Sequence, residues 1–355
     1  MSSLKSDPVG GGGEYGHLKL NTQGNFRELY KVGSILGEGA FGTVRLVTSR
    51  TDGSKWAVKV IEKSTVTPGD HALRTEIDIL CRVDHVNCVC LREWFDEPKR
   101  VLLVMEYISG GTLFDKIVAD GRYDERTARR HFIELARGLA YLHECGIAHR
   151  DLKPENFMLA RDGDRAAAAK LTDYGLSKIL DVVGGGGEKT ICGTPSYVAP
   201  EIVKMLQGGD QDGTYNALAA DAWSLGCNLY VLLSGYPPFW RYEDNQKKLF
   251  DHVAMNDWSF DQPCWKDVSE GGKALVRALM EPDLEKRLTV ADALDDPWCR
   301  KAAGDDAAGE GGGKDLSAAF ENIRLRVLNR RFRKAGLVIM ANNRFAKGVT
   351  HTAKE

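Results

Sequence analysis

His149-Arg150-Asp151-Leu152-Lys153-Pro154-Glu155-Asn156 packs a general base, a cation and a metal ligand into one short stretch. Asp151 can accept a proton from a hydroxyl. Lys153 can neutralise charge on a phosphoryl group in transfer. Asn156 offers a carbonyl oxygen to a hard divalent ion. Further on, Asp173-Tyr174-Gly175 adds a second oxygen ligand on a turn. A nucleophile-activating base, a metal and a phosphate are most of what phosphoryl transfer needs.

Working outward towards the N-terminus, Trp56-Ala57-Val58-Lys59-Val60 is a β-rich run with one Lys inside it. Alone, such a Lys reads as a solvent-facing strand residue. Before it stands Leu36-Gly37-Glu38-Gly39-Ala40-Phe41-Gly42-Thr43-Val44. Glycines let backbone N–H groups approach phosphates without a Cβ in the way. A lone GxGxxG also fits a plain turn or a dinucleotide fingerprint, but Thr43 to Val47 continues as a strand where a dinucleotide fold would start a helix. His71 to Leu80 reads as a helix with Leu73, Ile77 and Leu80 on one stripe. It carries two carboxylates, Glu76 and Asp78, on different faces. Val89–Phe95 and Arg100–Glu106 read as strands around Glu97-Pro98. From Leu113 onward helices dominate, among them an amphipathic one from Thr127 to Glu144.

Taken together these strings resemble a eukaryotic Ser/Thr protein kinase of the calcium/calmodulin-dependent group, over roughly residues 30 to 300. The resemblance implies an α+β, bilobal fold: a small β-sheet lobe with one helix (30–106) and a large, mostly helical lobe (107–298). It implies ATP and Mg²⁺ as cofactors. Lys59, held by Glu76, would fix the ATP phosphates under Gly37, Gly39 and Gly42. Leu36, Val44, Ala57 and Met158 would sandwich the adenine, with backbone groups near Glu106 and Ile108 bonding its edge and Met105 behind. Asp151 and Lys153 would be catalytic, and Asn156 and Asp173 would hold the metal. Lys153 and Gly193-Thr194-Pro195 favour Ser/Thr over Tyr as the target. Arg287 would pair with Glu201. Asp221 to Gly226 would start a buried helix that Gly235 ends. Tyr174 departs from the family's commoner Phe. Glu155 implies protein substrates with a basic residue before the target hydroxyl, although Thr112 stands where relatives often carry a second Glu. Thr190 reads either as a solvated loop residue or as the target of an upstream kinase, its phosphate meeting Arg150.

Composition fits this reading. The chain has 355 residues, 43% hydrophobic and 28% charged, enough for two lobes. No uninterrupted apolar run approaches the length of a membrane span, about 20 residues. The polar, Gly-rich start (1–29) reads as a flexible lead without a signal peptide, and Ser2 excludes myristoylation. Scattered cysteines point to a reducing cytosol or nucleus. Nothing suggests a nucleic-acid partner.

Residues 299–315 read as a linker, and 316–347 as a basic amphipathic regulatory segment. Residues 321–347 carry eight Lys/Arg against the single Glu321. Leu328, Phe332 and Leu337 lie near one helical face with Arg330, Arg331, Arg333 and Lys334 beside them, which suits calmodulin. A helix packed on the large lobe, a membrane-surface helix and a nuclear-import cluster fit the same residues. No loop has EF-hand spacing: Asp210 and Asp212 begin one, but Tyr215 takes the place that needs Gly. The resemblance implies a tail that inhibits until calmodulin removes it, so that deletion after about 315 activates. A kinase of the same group without calmodulin response, and a nucleotide-binding pseudokinase scaffold, are the alternatives.

Overall fold

The computed structural model describes residues 25–39, 42–65, 72–120, 123–159, 169–173, 178–179, 194–208, 214–301 and 315–328. Tyr174, Thr190, Gly193, Asp210, Asp212 and the chain beyond 328 lie outside them. The chain forms two compact units. The first holds the described residues up to 65 with 80–83 and 90–106; the second holds the rest.

The first unit is an antiparallel sheet of β1 (Tyr30–Gly39), β2 (Gly42–Ser49), β3 (Lys55–Glu62), β4 (Leu91–Asp96) and β5 (Arg100–Glu106), ordered β1-β2-β3-β5-β4. Register sorts its side chains. Residues paired across strands share a face, and alternate residues along a strand return to it. Val44 pairs with Lys59, Lys59 with Leu103, and Ala57 with Met105. These five therefore share one face. Val58, Leu102 and Val104 take the other face, where they form a buried cluster with Phe26, Tyr30, Val47 and Phe95. Helix α1 (Phe26–Leu29) supplies Phe26, whose ring lies 5.4 Å from both Tyr30 and Phe95. Phe26, four residues before the expected domain start at 30, thus packs into this core.

Between the glycines, β1 meets β2 with Gly39 opposite Gly42. Gly42 has φ 143°, and a Cβ there would come within 2.0 Å of the Val60 carbonyl oxygen. Only glycine fits. Gly37 has open space: no described atom lies within 4 Å of a built Cβ.

Helix α2 (Ala72–Arg82) buries Glu76 and exposes Asp78, so the two carboxylates lie on different faces as expected. The second unit follows with α3 (Leu113–Asp120), α4 (Glu125–Glu144), the short strands β6 (Ile147–Ala148), β7 (Phe157–Leu159), β8 (Ala169–Leu171) and β9 (Lys178–Ile179), then α5 (Pro200–Leu206), α6 (Ala217–Ser234), α7 (Gln246–Ala254), α8 (Glu270–Leu279), α9 (Val290–Asp295) and α10 (Pro297–Arg300). Helix α4 starts where Asp124 accepts the Thr127 N–H at 2.7 Å, an N-cap. Helix α6 alone among the described residues is long and apolar enough to cross a bilayer, yet 83% of it is buried within the protein as a core helix. Trp223 of α6 is fully buried, as are Trp265 and Trp298 of the same unit. The described cysteines are free thiols.

Both ends of the expected linker, 299–315, are seated in the second unit. Cys299 is buried in α10, and Asp315 bridges to Asp124 while the Leu316 N–H donates to the Tyr123 carbonyl at 3.1 Å. A last helix, α11 (residues 317–328), then docks on the second unit. Leu316, Ala319, Ile323 and Val327 are buried, at the i, i+3, i+4 spacing of one helical face. Asn322 Nδ2 donates to the Ser234 carbonyl at 2.8 Å. Gly235, the left-handed C-cap of α6 at φ 80°, permits this approach: a Cβ there would sit 2.4 Å from Asn322 Cβ and 2.6 Å from the Ala319 oxygen. Gly235→Ala is therefore expected to cost about 1–3 kcal/mol and to loosen α11. Urea unfolding and the rate of tryptic cleavage within 317–328 measure both. Gly37→Ala, with no clash, is the control.

Candidate active site

In the second unit the Asp151 carboxylate is gripped from two sides. Lys153 Nζ donates to Oδ2 at 2.5 Å and Thr194 Oγ1 to Oδ1 at 2.8 Å. Asn156 Nδ2 donates to the Asp151 carbonyl at 2.8 Å and lies 3.5 Å from Oδ2. An ionised carboxylate has about four acceptor positions, so a substrate hydroxyl can still be received.

The backbone beneath is held by a residue that the sequence reading placed only at the start of a buried helix. Asp221, 1% exposed, accepts the N–H of His149 at 2.7 Å and of Arg150 at 2.8 Å, and pairs with His143 Nε2 at 2.9 Å. Arg150 has φ 67° and Asp173 φ 63°. Left-handed backbone costs a non-glycine residue roughly 1–2 kcal/mol. At Arg150 the two hydrogen bonds to Asp221 offset that cost. A signal for Asp221 existed in the sequence: a carboxylate inside an apolar helix must have partners.

His149 ties this loop to the next strand. Its Nδ1 accepts the Asp151 N–H at 3.3 Å, and its Nε2 donates to the Thr172 carbonyl at 3.1 Å. Those partners place the ring proton on Nε2. Thr172 in turn donates from N and Oγ1 to the Asn156 carbonyl at 3.0 and 3.2 Å. Strands β7 and β8 pair Phe157 with Leu171, so their ends bring Asn156 beside Thr172, and Asp173 follows directly. Asn228 Nδ2 secures the Leu152 carbonyl at 3.3 Å.

The expected Mg²⁺ ligands thus come from adjoining strand ends. The donor set is one amide oxygen and one carboxylate, both hard. Among the described residues no group of three or more His, Cys, Asp or Glu is placed to hold an ion. A two-residue oxygen set fits an ion that takes its remaining ligands from phosphate and water, as Mg²⁺ does.

The other expected residues divide between the units. Leu36, Gly37, Gly39, Gly42, Val44, Ala57, Lys59 and Glu106 lie in the first, with Val44, Ala57 and Lys59 on the sheet face away from the Phe26 cluster. The Glu106 N–H donates to the Cys90 carbonyl at 3.0 Å, which takes that donor out of the set that could meet a nucleotide edge. Glu76, Ile108 and Met158 group with the second unit. Ile108 is half-buried in the stretch after β5, and Met158 lies on β7, bridged to Thr112.

The expected Glu201–Arg287 pair is present and bidentate, at 2.7 and 2.9 Å. Arg287 also donates to the Glu281 and Ala219 carbonyls at 2.7 and 3.0 Å.

Fold and site together define a phosphotransferase. The chain matches the protein kinase domain over residues 30–299, and it belongs to that family. It is 44% identical over 280 residues to a probable myosin light chain kinase from Dictyostelium discoideum, covering 78% of this chain and 76% of that one. It is 40% identical over 273 residues to a calcium/calmodulin-dependent protein kinase type 1 from Caenorhabditis elegans, covering 77% and 74%. Against the serine/threonine-protein kinase DCLK1 of Rattus norvegicus it is 38% identical over 271 residues, covering 76% of this chain but only 60% of that one. The chain is a protein serine/threonine kinase, of a family that uses ATP with Mg²⁺.

Proposed function

We propose that the chain phosphorylates Ser/Thr hydroxyls beside basic residues of proteins, and that calcium-loaded calmodulin relieves inhibition by its C-terminal segment. In this reading Asp151 orients the substrate hydroxyl and takes its proton. Lys153 offsets charge on the phosphoryl group in transfer. Lys59, with Glu76, holds the nucleotide. Asn156 and Asp173 hold Mg²⁺, which when bound neutralises phosphate charge and aligns the γ-phosphate. An upstream kinase acting on Thr190 belongs to the same reading.

The regulatory part rests on α11, which is docked on the second unit and runs directly into the basic stretch from Leu328. The resemblance of that stretch to a calmodulin target, and the calmodulin-dependent relative, support it. The docking also moves the informative truncation point. Deletion after 315 would strip four buried side chains from the second unit and expose the surface beneath them, confounding activation with unfolding. Deletion after 328 would not.

The test is transfer of labelled phosphate from ATP to a peptide with Arg three residues before Ser, with and without calcium-loaded calmodulin. The full chain should gain about tenfold or more with calmodulin, and the chain ending at 328 should be active without it. Equal activity of the full chain in both arms would favour the second reading, a kinase of the same group in which this helix is purely structural. The burial of Leu316, Ala319, Ile323 and Val327 is the observation on that side.

A further inference from the structure

Three polar side chains interrupt the mainly apolar core helix α6. Asp221, Ser224 and Asn228 stand at i, i+3 and i+7, so they form one stripe about two turns, roughly 10 Å, long. Each holds a different piece of backbone around Asp151. Asp221 takes the N–H groups before the base, at His149 and Arg150. Asn228 Nδ2 donates to the Leu152 carbonyl just after it, at 3.3 Å. Ser224 Oγ lies 2.8 Å from the Tyr197 carbonyl and 3.1 Å from the Ala220 carbonyl of its own helix. A hydroxyl has one proton, and the shorter contact is the one across to the loop. That loop turns back on itself, with the Tyr197 N–H donating to the Thr194 carbonyl at 2.9 Å, and it presents Thr194 to the base.

The Leu152 carbonyl is the informative one of the set. Its neighbours in the loop are held from within: the Asp151 carbonyl by Asn156 Nδ2 at 2.8 Å, the Lys153 carbonyl by the Asn156 N–H at 2.9 Å. Among the described residues only Asn228 holds the carbonyl between them. Asn228 is 1% exposed. Its Nδ2 also donates to the Ser224 carbonyl at 2.7 Å, and two carbonyl acceptors fix which atom is the nitrogen. Its Oδ1 is buried with no partner among the described residues. A buried oxygen without a donor costs stability. Leucine branches in the same way and would carry no such cost. The asparagine is thus a poor choice for the fold alone, and such departures gather where function requires them.

We propose that Asn228 is a positioning residue. Through the Leu152 carbonyl it sets the direction of the chain that joins Asp151 to Lys153, and Ser224 does the same for the turn that bears Thr194. Both act on the transfer step through the Asp151 carboxylate, which Lys153 and Thr194 grip. This rests on the reading that Asp151 receives the substrate's proton.

The experiment uses the full chain with calcium-loaded calmodulin, the Arg peptide and ATP. Asn228→Leu should lower kcat about three- to tenfold, because a small misplacement of a reacting group is costly, with both KM values within about twofold. Its melting temperature should fall by no more than about 2 °C, since removal of the unpaired oxygen offsets the lost hydrogen bond. Ser224→Ala, which deletes one oxygen, should lower kcat about threefold by the same route. In an Asp151→Asn background neither change should lower the rate further, as with groups that act as a unit. An equal loss in that background, a change in KM in place of kcat, or an unchanged kcat in both variants would overturn the proposal. So would Asn228→Leu melting more than about 5 °C low beside an unchanged kcat for Ser224→Ala, the mark of a purely structural stripe. In all these cases Asp151→Asn alone remains nearly inactive. If Asp151→Asn instead stays within tenfold of wild type, the reading of Asp151 as the base ends, and the proposal with it.

Discussion

Asp151→Asn is expected to lower kcat by about 10³-fold while leaving the protein folded. The change keeps the side chain's volume and the hydrogen bond from Thr194, 2.8 Å from Oδ1. It removes the proton acceptor and the negative partner of Lys153, now 2.5 Å from Oδ2. A positioned general base contributes roughly 10²–10⁴-fold. Here the loss should fall in the middle, because the backbone under residue 151 is held independently by Asp221 and the substrate would still be positioned. Single-turnover phosphate transfer gives the rate, and a thermal melt checks the fold. A variant within tenfold of wild type would show that Asp151 is not the base.

Arg287→Met should destabilise the second unit by about 3–5 kcal/mol, the cost of breaking a buried pair from one side. The Arg287 side chain is 1% exposed. It satisfies the Glu201 carboxylate, two backbone carbonyls and the face of Trp223, whose ring centre lies 5.2 Å from the guanidinium carbon. Met fills much of the volume and satisfies none of the polar groups, leaving Glu201 ionised without its partner and two carbonyls short of a donor. Urea unfolding measures the loss, and the double variant with Glu201→Met should recover part of it. A loss under 1 kcal/mol would mean that Glu201 is hydrated and that the pair does not brace the segment between α5 and α8.

The catalytic strings were legible because connectivity alone brings their members together. Asp151, Lys153 and Asn156 fall within one loop, and a loop of that length cannot separate them far. The strand carrying Lys59 and the glycines of β1 and β2 were readable for a similar reason: alternation and a tight turn are local properties. Even the Glu201–Arg287 pair came through, but only by resemblance, since nothing local relates two residues so far apart. The boundaries were less legible. Phe26 looked like part of a flexible lead because one aromatic residue in a polar stretch carries no period, and only the cluster with Tyr30 and Phe95 shows what it completes. Residues 316–327 looked like the start of a removable tail, because an apolar stripe does not say which surface it will cover.

The sequence by itself set out the residue types on which the proposed chemistry rests: a carboxylate to accept the proton, a lysine to offset charge and oxygens to meet a metal. Those depend on residue type and short spacing. Tertiary structure decided what holds them and what else comes near. Asp221 under the loop, Thr194 on the base, Gly235 against α11 and Asn228 on Leu152 are contacts between residues tens of positions apart. Each is made by helices and loops converging on one packed unit. No periodicity in the chain encodes such a meeting, because it depends on how separate elements pack and not on the order of residues within any one of them.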